Sequence, residues 1–278
     1  MAEISAELVK QLREATNVSM MECKRALVEA GGDMAKATKL LRERGMAVAA
    51  KKAGRTAKQG LVASAITADG KVASLIEVNC ETDFVARNPN FVVFVKKLAE
   101  IACTTDANLA EQVREEVTAK IAEIGENIVV RRNIRYVLEN TGALGCYIHL
   151  GGKVGVLVEV GAEKESTTNS DVFKELVKDL TLQVAASAPR YLTPDDIPPE
   201  EIAAEREIYA KQMQGKPAQV IAKIVDGKMK KYYSEVCLLE QPFVKETDRS
   251  VVALLAEKAN VLGDKLTIRR FVRYQVGE

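Results

Sequence analysis

The sequence predicts an α+β protein, with a small helical unit followed by two related modules in which helices pack on an antiparallel sheet. Three observations support this prediction. Residues 1–46 carry helical periodicity, later segments alternate with a period of two residues, and one stretch occurs twice without a gap. The duplicated stretches are residues 70–98 and 152–180. What both copies share is expected to be scaffold, so residues present in only one copy are the first candidates for function.

The N-terminal unit, residues 1–46, is predicted to contain three helices. Ser19 and Glu22 have the spacing of a capping box, in which side chains satisfy the free amides at a helix start. Asp33 can cap the third helix, and Gly45 is expected to end it.

A basic segment, residues 47–60, is predicted to link this unit to the first module. It belongs to a stretch between Glu43 and Asp69 that contains no acidic residue. Its positive charges lie among alanines and glycines, which is typical of a solvated, partly helical tether. The alternative is that the segment contacts an acidic surface of a partner.

The first module is predicted to occupy residues 61–140 and the second residues 141–278. Each has the pattern of a two-stranded hairpin, a helix and a returning strand. In the first module Asp69–Gly70 is a strong hairpin turn. Asn88–Pro89 is typical of a helix start, because the asparagine can cap and proline suits the first helical position.

The second module carries an insertion at about residues 197–233. Pro198–Pro199 opens it, apolar residues recur along two helical segments, and Gly215–Pro217 turns the chain between them. The pattern predicts an antiparallel helical hairpin that projects as an arm. Its narrow apolar seam is interpreted as structural, the alternative being a binding groove.

Composition argues against several function classes. The 40 basic and 39 acidic residues nearly cancel, whereas a dedicated nucleic-acid binder is usually strongly basic. No apolar run is long enough for a membrane helix, and the N-terminus lacks a signal-peptide pattern. Five scattered cysteines favour free thiols in a reducing cytoplasm over disulfides or a zinc site. A single histidine, and the lack of phosphate-loop and dinucleotide motifs, argue against an enzyme, a metal centre and direct nucleotide binding.

Residues 82–87, directly after the second strand of the first module, form a stretch that does not recur in the second copy. Phe84 of the first copy corresponds to Ser166 of the second, so the common fold does not need an aromatic ring there. Such a ring is a candidate for insertion into a partner pocket. The alternative is that Phe84 covers the base of its own module. Asp83 is less informative because Glu165 is also acidic, and a capping or surface role explains it equally well.

Four segments resemble the bacterial elongation factor Ts family, and the likeness covers nearly the whole chain. The two long ones are Leu12–Leu27, which reads LREATNVSMMECKRAL, and Glu77–Arg87, which reads EVNCETDFVAR. The two short ones are Ile124–Ile128 and Gln241–Val244. Longer family members continue past the last strand into a C-terminal helix, so partner contacts of such a helix are not expected of a chain that stops at Glu278.

The resemblance implies a cytoplasmic exchange factor that is not an enzyme, needs no cofactor, and promotes GDP release from the GTPase elongation factor Tu. In the family an aspartate–phenylalanine pair enters beside the magnesium and phosphate site of the GTPase. This implies that role for Asp83 and Phe84, with Thr82 and Val85 flanking them. The N-terminal unit resembles ubiquitin-associated domains, which in this family contact the nucleotide domain of the GTPase. Further partner contacts are implied for Met20, Met21, Lys24, Lys51, Ile124, Gly125 and His149.

Two other functions remain open at this point. A nucleic-acid or ribosome-associated scaffold would use the basic segment and the pairs Arg131–Arg132 and Arg269–Arg270, and it predicts RNA affinity that falls steeply with salt. Because these pairs recur in both modules, they are interpreted instead as structural or solubilising. An interaction module would use the isolated N-terminal unit to recognise ubiquitin-like folds. For His149, which follows Tyr147 in a Tyr-x-His pattern, the alternative is an ordinary half-exposed strand residue.

Overall fold

A computed structural model describes residues 4–16, 18–105, 108–213 and 217–278 of the chain. It combines helices with antiparallel sheet, which confirms the predicted α+β class. The N-terminal unit and first module contain α1 (Ala6–Thr16), α2 (Met20–Glu29), α3 (Met34–Lys52), β1 (Gln59–Ile66), β2 (Val72–Cys80), α4 (Asp83–Ala86), α5 (Pro89–Thr104), α6 (Leu109–Gln112), α7 (Arg114–Ile124) and β3 (Val129–Val137). The remainder contains β4 (Gly142–His149), β5 (Val154–Ala162), α8 (Glu165–Thr168), α9 (Asp171–Ser187), α10 (Pro199–Lys211), α11 (Ala218–Val236), β6 (Pro242–Phe243), β7 (Glu246–Ser250), α12 (Val251–Leu262) and β8 (Leu266–Gln275).

Helices α1, α2 and α3 form the predicted N-terminal unit. Ser19 accepts the backbone N–H of Glu22 at 3.3 Å, and Asp33 accepts that of Lys36 at 3.0 Å. Both predicted caps are therefore present, and each satisfies an amide that the helix itself leaves free. The apolar faces meet in a small core of Val9, Leu12, Cys23, Ala26, Leu27, Ala37 and Leu41.

The third helix does not end at Gly45; it continues to Lys52, so that prediction was wrong. A glycine inside a helix costs only about 1 kcal/mol relative to alanine, and packing can offset this cost. A Cβ built on Gly45 would lie 3.3 Å from the Cβ of Ala122, so the glycine lets α3 lie close against α7. The first part of the predicted basic linker is consequently helical. The domain boundaries themselves stay predictions.

Two three-stranded sheets correspond to the two predicted modules. Their strand orders are β1-β2-β3 and β4-β5-β8, so in each sheet the returning strand lies beside the second strand of the hairpin. In the second sheet β4 and β5 pair antiparallel, with Gly142 opposite Gly161. The predicted turn at Asp69–Gly70 forms, since the N–H of Gly70 bonds to Thr67 O at 2.8 Å. The repeated order of elements agrees with the sequence repeat.

The insertion folds as the two predicted helices, α10 and α11. They run antiparallel, because the Tyr232 hydroxyl donates to Glu201 near one end and Arg206 pairs with Asp226 further along. Their facing sides bury Val225 and Met229, which supports the interpretation of the seam as structural. Residues 214–216, which include most of the predicted turn, lie outside the described residues.

Each module contains a buried ion pair that joins its middle strand to its returning strand. Glu77 on β2 is fully buried and its Oε2 accepts the Nε–H of Arg132 at 2.7 Å. Glu159 on β5 is also buried and accepts the Nε–H of Arg270 at 2.7 Å. The preceding arginine of each pair approaches the same carboxylate. The structural interpretation of the arginine pairs is therefore confirmed, which weakens the nucleic-acid alternative.

The chain divides into two compact units, one of residues up to 63, 76–134 and 275–278, the other of residues 64–75 and 135–274. Within the first unit, Arg132 also donates to the backbone oxygen of Gln275 at 3.0 Å. Within the second, Arg270 donates to the backbone oxygen of Val137 at 2.9 Å. Arg132 thus binds both the Glu77 carboxylate and the end of β8, and Arg270 binds both the Glu159 carboxylate and the end of β3.

Gly60 on β1 is a position where only glycine fits. Its φ is 147°, and a Cβ there would lie 2.2 Å from the carbonyl oxygen of Val78. We expect Gly60→Ala to lower the free energy of unfolding by at least about 2 kcal/mol, because backbone strain and steric overlap add. Urea denaturation measures this change. Gly227→Ala is the control, since nothing lies within 4 Å of the added methyl group; an unchanged midpoint for Gly60→Ala contradicts the prediction.

Candidate functional site

The residues that only the first module carries form a single helical turn at the end of β2. Thr82 caps α4, because its Oγ1 accepts the N–H of Val85 at 3.3 Å. Ala86 is buried and anchors the turn to the module, whereas the Phe84 side chain is 82% exposed. A ring this exposed does not cover its own module, so that alternative is contradicted. The structure instead presents an aromatic ring to solvent on a capped turn.

Asp83 lies in the first turn of α4, next to Phe84. Its Oδ2 lies 3.2 Å from a guanidinium nitrogen of Arg87, with the two side chains 44% and 81% exposed. An ion pair so open to solvent contributes little to stability. The Asp83 carboxylate therefore stays accessible beside the exposed ring and is not committed to the fold.

The end of α7 lies against this turn. Gly125 ends the helix in the left-handed conformation, with φ 81°. The next residue, Glu126, accepts the Thr82 hydroxyl at 2.6 Å, and the N–H of Asn127 donates to Glu81 Oε1 at 2.7 Å. The structure thus brings the predicted residues 124–125 close to the predicted residues 82–85. Glu126 was not among the predicted site residues.

Arg55 of the basic segment joins the same cluster. Its guanidinium lies 3.4 Å from Glu81 Oε2, and its backbone oxygen accepts the Asn127 side-chain amide at 2.8 Å. The Asn127 N–H, and after it the Arg55 guanidinium, hold the pKa of Glu81 below its usual range. At this residue the segment is held by its own unit instead of forming a wholly solvated tether.

The predicted contacts of the N-terminal unit are at its surface. Met20 and Met21 on α2 are 51% and 59% exposed. Lys24 on the same helix is exposed, as is Lys51 in the last turn of α3. These side chains are accessible to a partner, and their contacts stay predictions. The likeness of this unit to ubiquitin-associated domains stays a prediction too.

His149 belongs to the second compact unit, where it ends β4. Its Nδ1 lies 2.9 Å from the Tyr147 hydroxyl, and the two rings stack with their centroids 5.7 Å apart. His149 is exposed, as is the neighbouring Leu150. The predicted Tyr-x-His pattern therefore forms a fixed surface feature, whose partner contact stays a prediction.

A largely apolar cavity of about 940 Å³ lies in the first unit, with α3 and α7 among its walls. Many of its lining residues are alanines, and an ion pair between Arg42 and Glu115 lies at its side. Among the described residues, no group of three or more His, Cys, Asp or Glu side chains could hold a metal ion. The candidate site centres on the exposed Asp83 and Phe84 side chains of the capped α4 turn.

None of the helices in the described ranges has both the length and the apolar character needed to cross a membrane.

A family model described as elongation factor TS matches residues 81–278. Elongation factor Ts of Clostridium botulinum (strain Alaska E43 / Type E3) is 43% identical to this chain, covering 99% of it and 93% of the relative. Elongation factor Ts of Clostridium perfringens (strain 13 / Type A) is 44% identical with the same coverage. Elongation factor Ts of Nitratidesulfovibrio vulgaris (strain DP4) is 44% identical, covering 99% of this chain and 96% of the relative.

Proposed function

Because the chain belongs to the elongation factor Ts family, we propose that it binds elongation factor Tu carrying GDP and promotes exchange of that GDP for GTP. The family consists of translation elongation factors that act as nucleotide exchange factors and not as enzymes. The chain then makes and breaks no bond, binds neither nucleotide nor nucleic acid itself, and needs no cofactor. Because this exchange serves translation, we propose that the protein acts in the cytoplasm.

The observation that carries the proposal is the exposed ring of Phe84 on a capped turn, where the second module has Ser166. Buried aromatic anchors at interfaces commonly cost about 2 kcal/mol or more when truncated. We expect Phe84 and Asp83 to enter beside the magnesium and phosphate site of elongation factor Tu. Thr82 and Val85 flank them and hold the turn.

The mechanism follows from linkage. A protein that binds the nucleotide-free GTPase more tightly than the GDP-bound form must weaken GDP binding by the same factor. A wedge that moves the elements holding magnesium removes positive charge from beside the β-phosphate, so GDP leaves faster. The acceleration therefore comes from binding energy and needs no catalytic group on this chain.

One anchor is not sufficient for this coupling. Ordinary couplings between sites are about 1–3 kcal/mol, and the release of a tightly held nucleotide requires more. We therefore expect a large interface with several further contacts. The proposed residues are Met20, Met21, Lys24, Lys51, Ile124, Gly125 and His149.

The test measures release of fluorescent mant-GDP from elongation factor Tu by stopped flow. At saturating concentration this chain is expected to accelerate release by more than about 100-fold, because we expect the coupling to exceed the ordinary range and to act mainly on the dissociation rate of GDP. An unrelated GTPase loaded with mant-GDP is the control and is expected to show no acceleration. Added GDP is expected to dissociate a complex of this chain with elongation factor Tu. An unchanged release rate would refute the proposed function.

A further inference from the structure

We propose that Glu126 is the residue that positions Phe84 for nucleotide exchange, an inference that rests on the proposed function. The α4 turn has four residues, far fewer than a helix needs to be stable by itself. The Phe84 side chain is 82% exposed, so packing against its own module does not hold it. The orientation of the ring therefore depends on contacts made at the ends of the turn.

Both carboxylate oxygens of Glu126 hold the start of this turn. Oε2 accepts the N–H groups of Glu81 and Thr82, each at 3.0 Å. Oε1 accepts the Thr82 hydroxyl at 2.6 Å. Hydrogen bonds to a charged carboxylate are stronger than bonds between neutral groups, so Glu126 is a firm support.

Thr82 transmits this support to the turn. Its hydroxyl has one proton, which it donates to Glu126, and a free lone pair, which accepts the N–H of Val85 at 3.3 Å. A continuous path of hydrogen bonds therefore leads from Glu126 to the residues on both sides of Phe84. A further bond joins the same two segments, because Glu81 accepts the N–H of Asn127 at 2.7 Å.

The second module has the same support without the ring. Asp264 follows Gly263, which ends α12 with positive φ as Gly125 ends α7. Its carboxylate accepts the N–H of Glu163 at 3.3 Å and that of Lys164 at 3.1 Å, directly before α8. The support thus belongs to the shared fold, and only in the first module does it hold an exposed aromatic residue.

A turn held in its bound conformation before association avoids the entropy cost of ordering it at the interface. Without Glu126, that cost enters the exchange reaction whenever Phe84 must be placed in the partner. A variant that lacks Phe84 has no ring to place. The loss of exchange activity caused by removing Glu126 should therefore be larger when Phe84 is present. If Glu126 only stabilised the fold, the loss would be the same with and without Phe84.

The test is a double-mutant cycle on mant-GDP release from elongation factor Tu. Glu126→Ala is expected to reduce the acceleration about tenfold, because the turn must then order on binding. In the Phe84→Ala background the same substitution is expected to cost less than about twofold. Asp264→Ala removes the matching support from the second module, and we expect it to cost less than about twofold because that support holds no exposed aromatic ring.

Full activity of Glu126→Ala, or an equal loss in both backgrounds, overturns the inference while leaving the proposed function intact. If wild-type protein itself fails to accelerate GDP release, both are overturned. Circular dichroism reports whether each variant is folded. Should Glu126→Ala not fold, Glu126→Gln, which keeps one accepting oxygen, is compared in the two backgrounds by the same criterion.

Discussion

Phe84→Ala is expected to lose most of the acceleration of GDP release. If the ring fills a pocket beside the magnesium site, its truncation costs about 2 kcal/mol or more, which corresponds to a loss of at least about 30-fold. The loss appears in the mant-GDP release rate at saturating exchange factor. Phe84→Leu keeps apolar volume without an aromatic ring, and we expect an intermediate rate.

The same substitution is expected to leave the fold unchanged, because a side chain that is 82% exposed contributes little to the core. The thermal midpoint of Phe84→Ala should therefore match that of the wild type. Ser166→Ala is the matched control at the corresponding position of the second module and is expected to exchange GDP at the wild-type rate. Wild-type acceleration by folded Phe84→Ala would remove Phe84 from the mechanism.

The repeat made most of the fold predictable. Internal similarity placed two hairpins and two returning strands, and side-chain chemistry placed the caps at Ser19, Asp33 and Asn88. The errors arose where tertiary packing overrides local signals. Gly45 was expected to stop a helix, yet its contact with α7 keeps it helical.

Residues whose role depends on a contact with a distant part of the sequence were harder to predict. Phe84 stood out because the second copy lacks it, and its exposure agrees with that reasoning. Glu126 did not stand out, since its role depends on residues far away in sequence. A signal was present: the echo that aligns Arg131 with Arg269 also aligns Glu126 with Asp264 when it is extended toward the N-terminus. An acidic residue that precedes the returning strand in both copies indicates a shared structural support.

Arg132→Ala is expected to lower the free energy of unfolding by about 3 kcal/mol. It removes the closest cation from Glu77, whose carboxylate is fully buried and receives the Arg132 Nε–H at 2.7 Å. Removal of one partner of a buried ion pair costs about 3–5 kcal/mol, because the other charge stays buried. We expect the lower end of that range, since the side-chain amide of Asn79 still donates to Glu77 at 3.0 Å. The free energy of unfolding from urea titration measures the change.

Two further variants separate burial of an unpaired charge from simple loss of contacts. Arg132→Met combined with Glu77→Leu removes both charges and is expected to recover much of the stability, because neither is then left buried alone. Arg270→Ala in the second module is expected to cost about as much as Arg132→Ala. It also loses a cation–π contact, because the Arg270 guanidinium lies 4.1 Å from the centre of the Tyr136 ring. This loss is offset because Arg269 still lies 3.0 Å from the Glu159 carboxylate, closer than the 3.9 Å between Arg131 and Glu77. If the double variant is as unstable as Arg132→Ala, the instability does not come from an unpaired buried charge. If Arg132→Ala lies within about 1 kcal/mol of the wild type, the Glu77 carboxylate does not need Arg132 to stay buried.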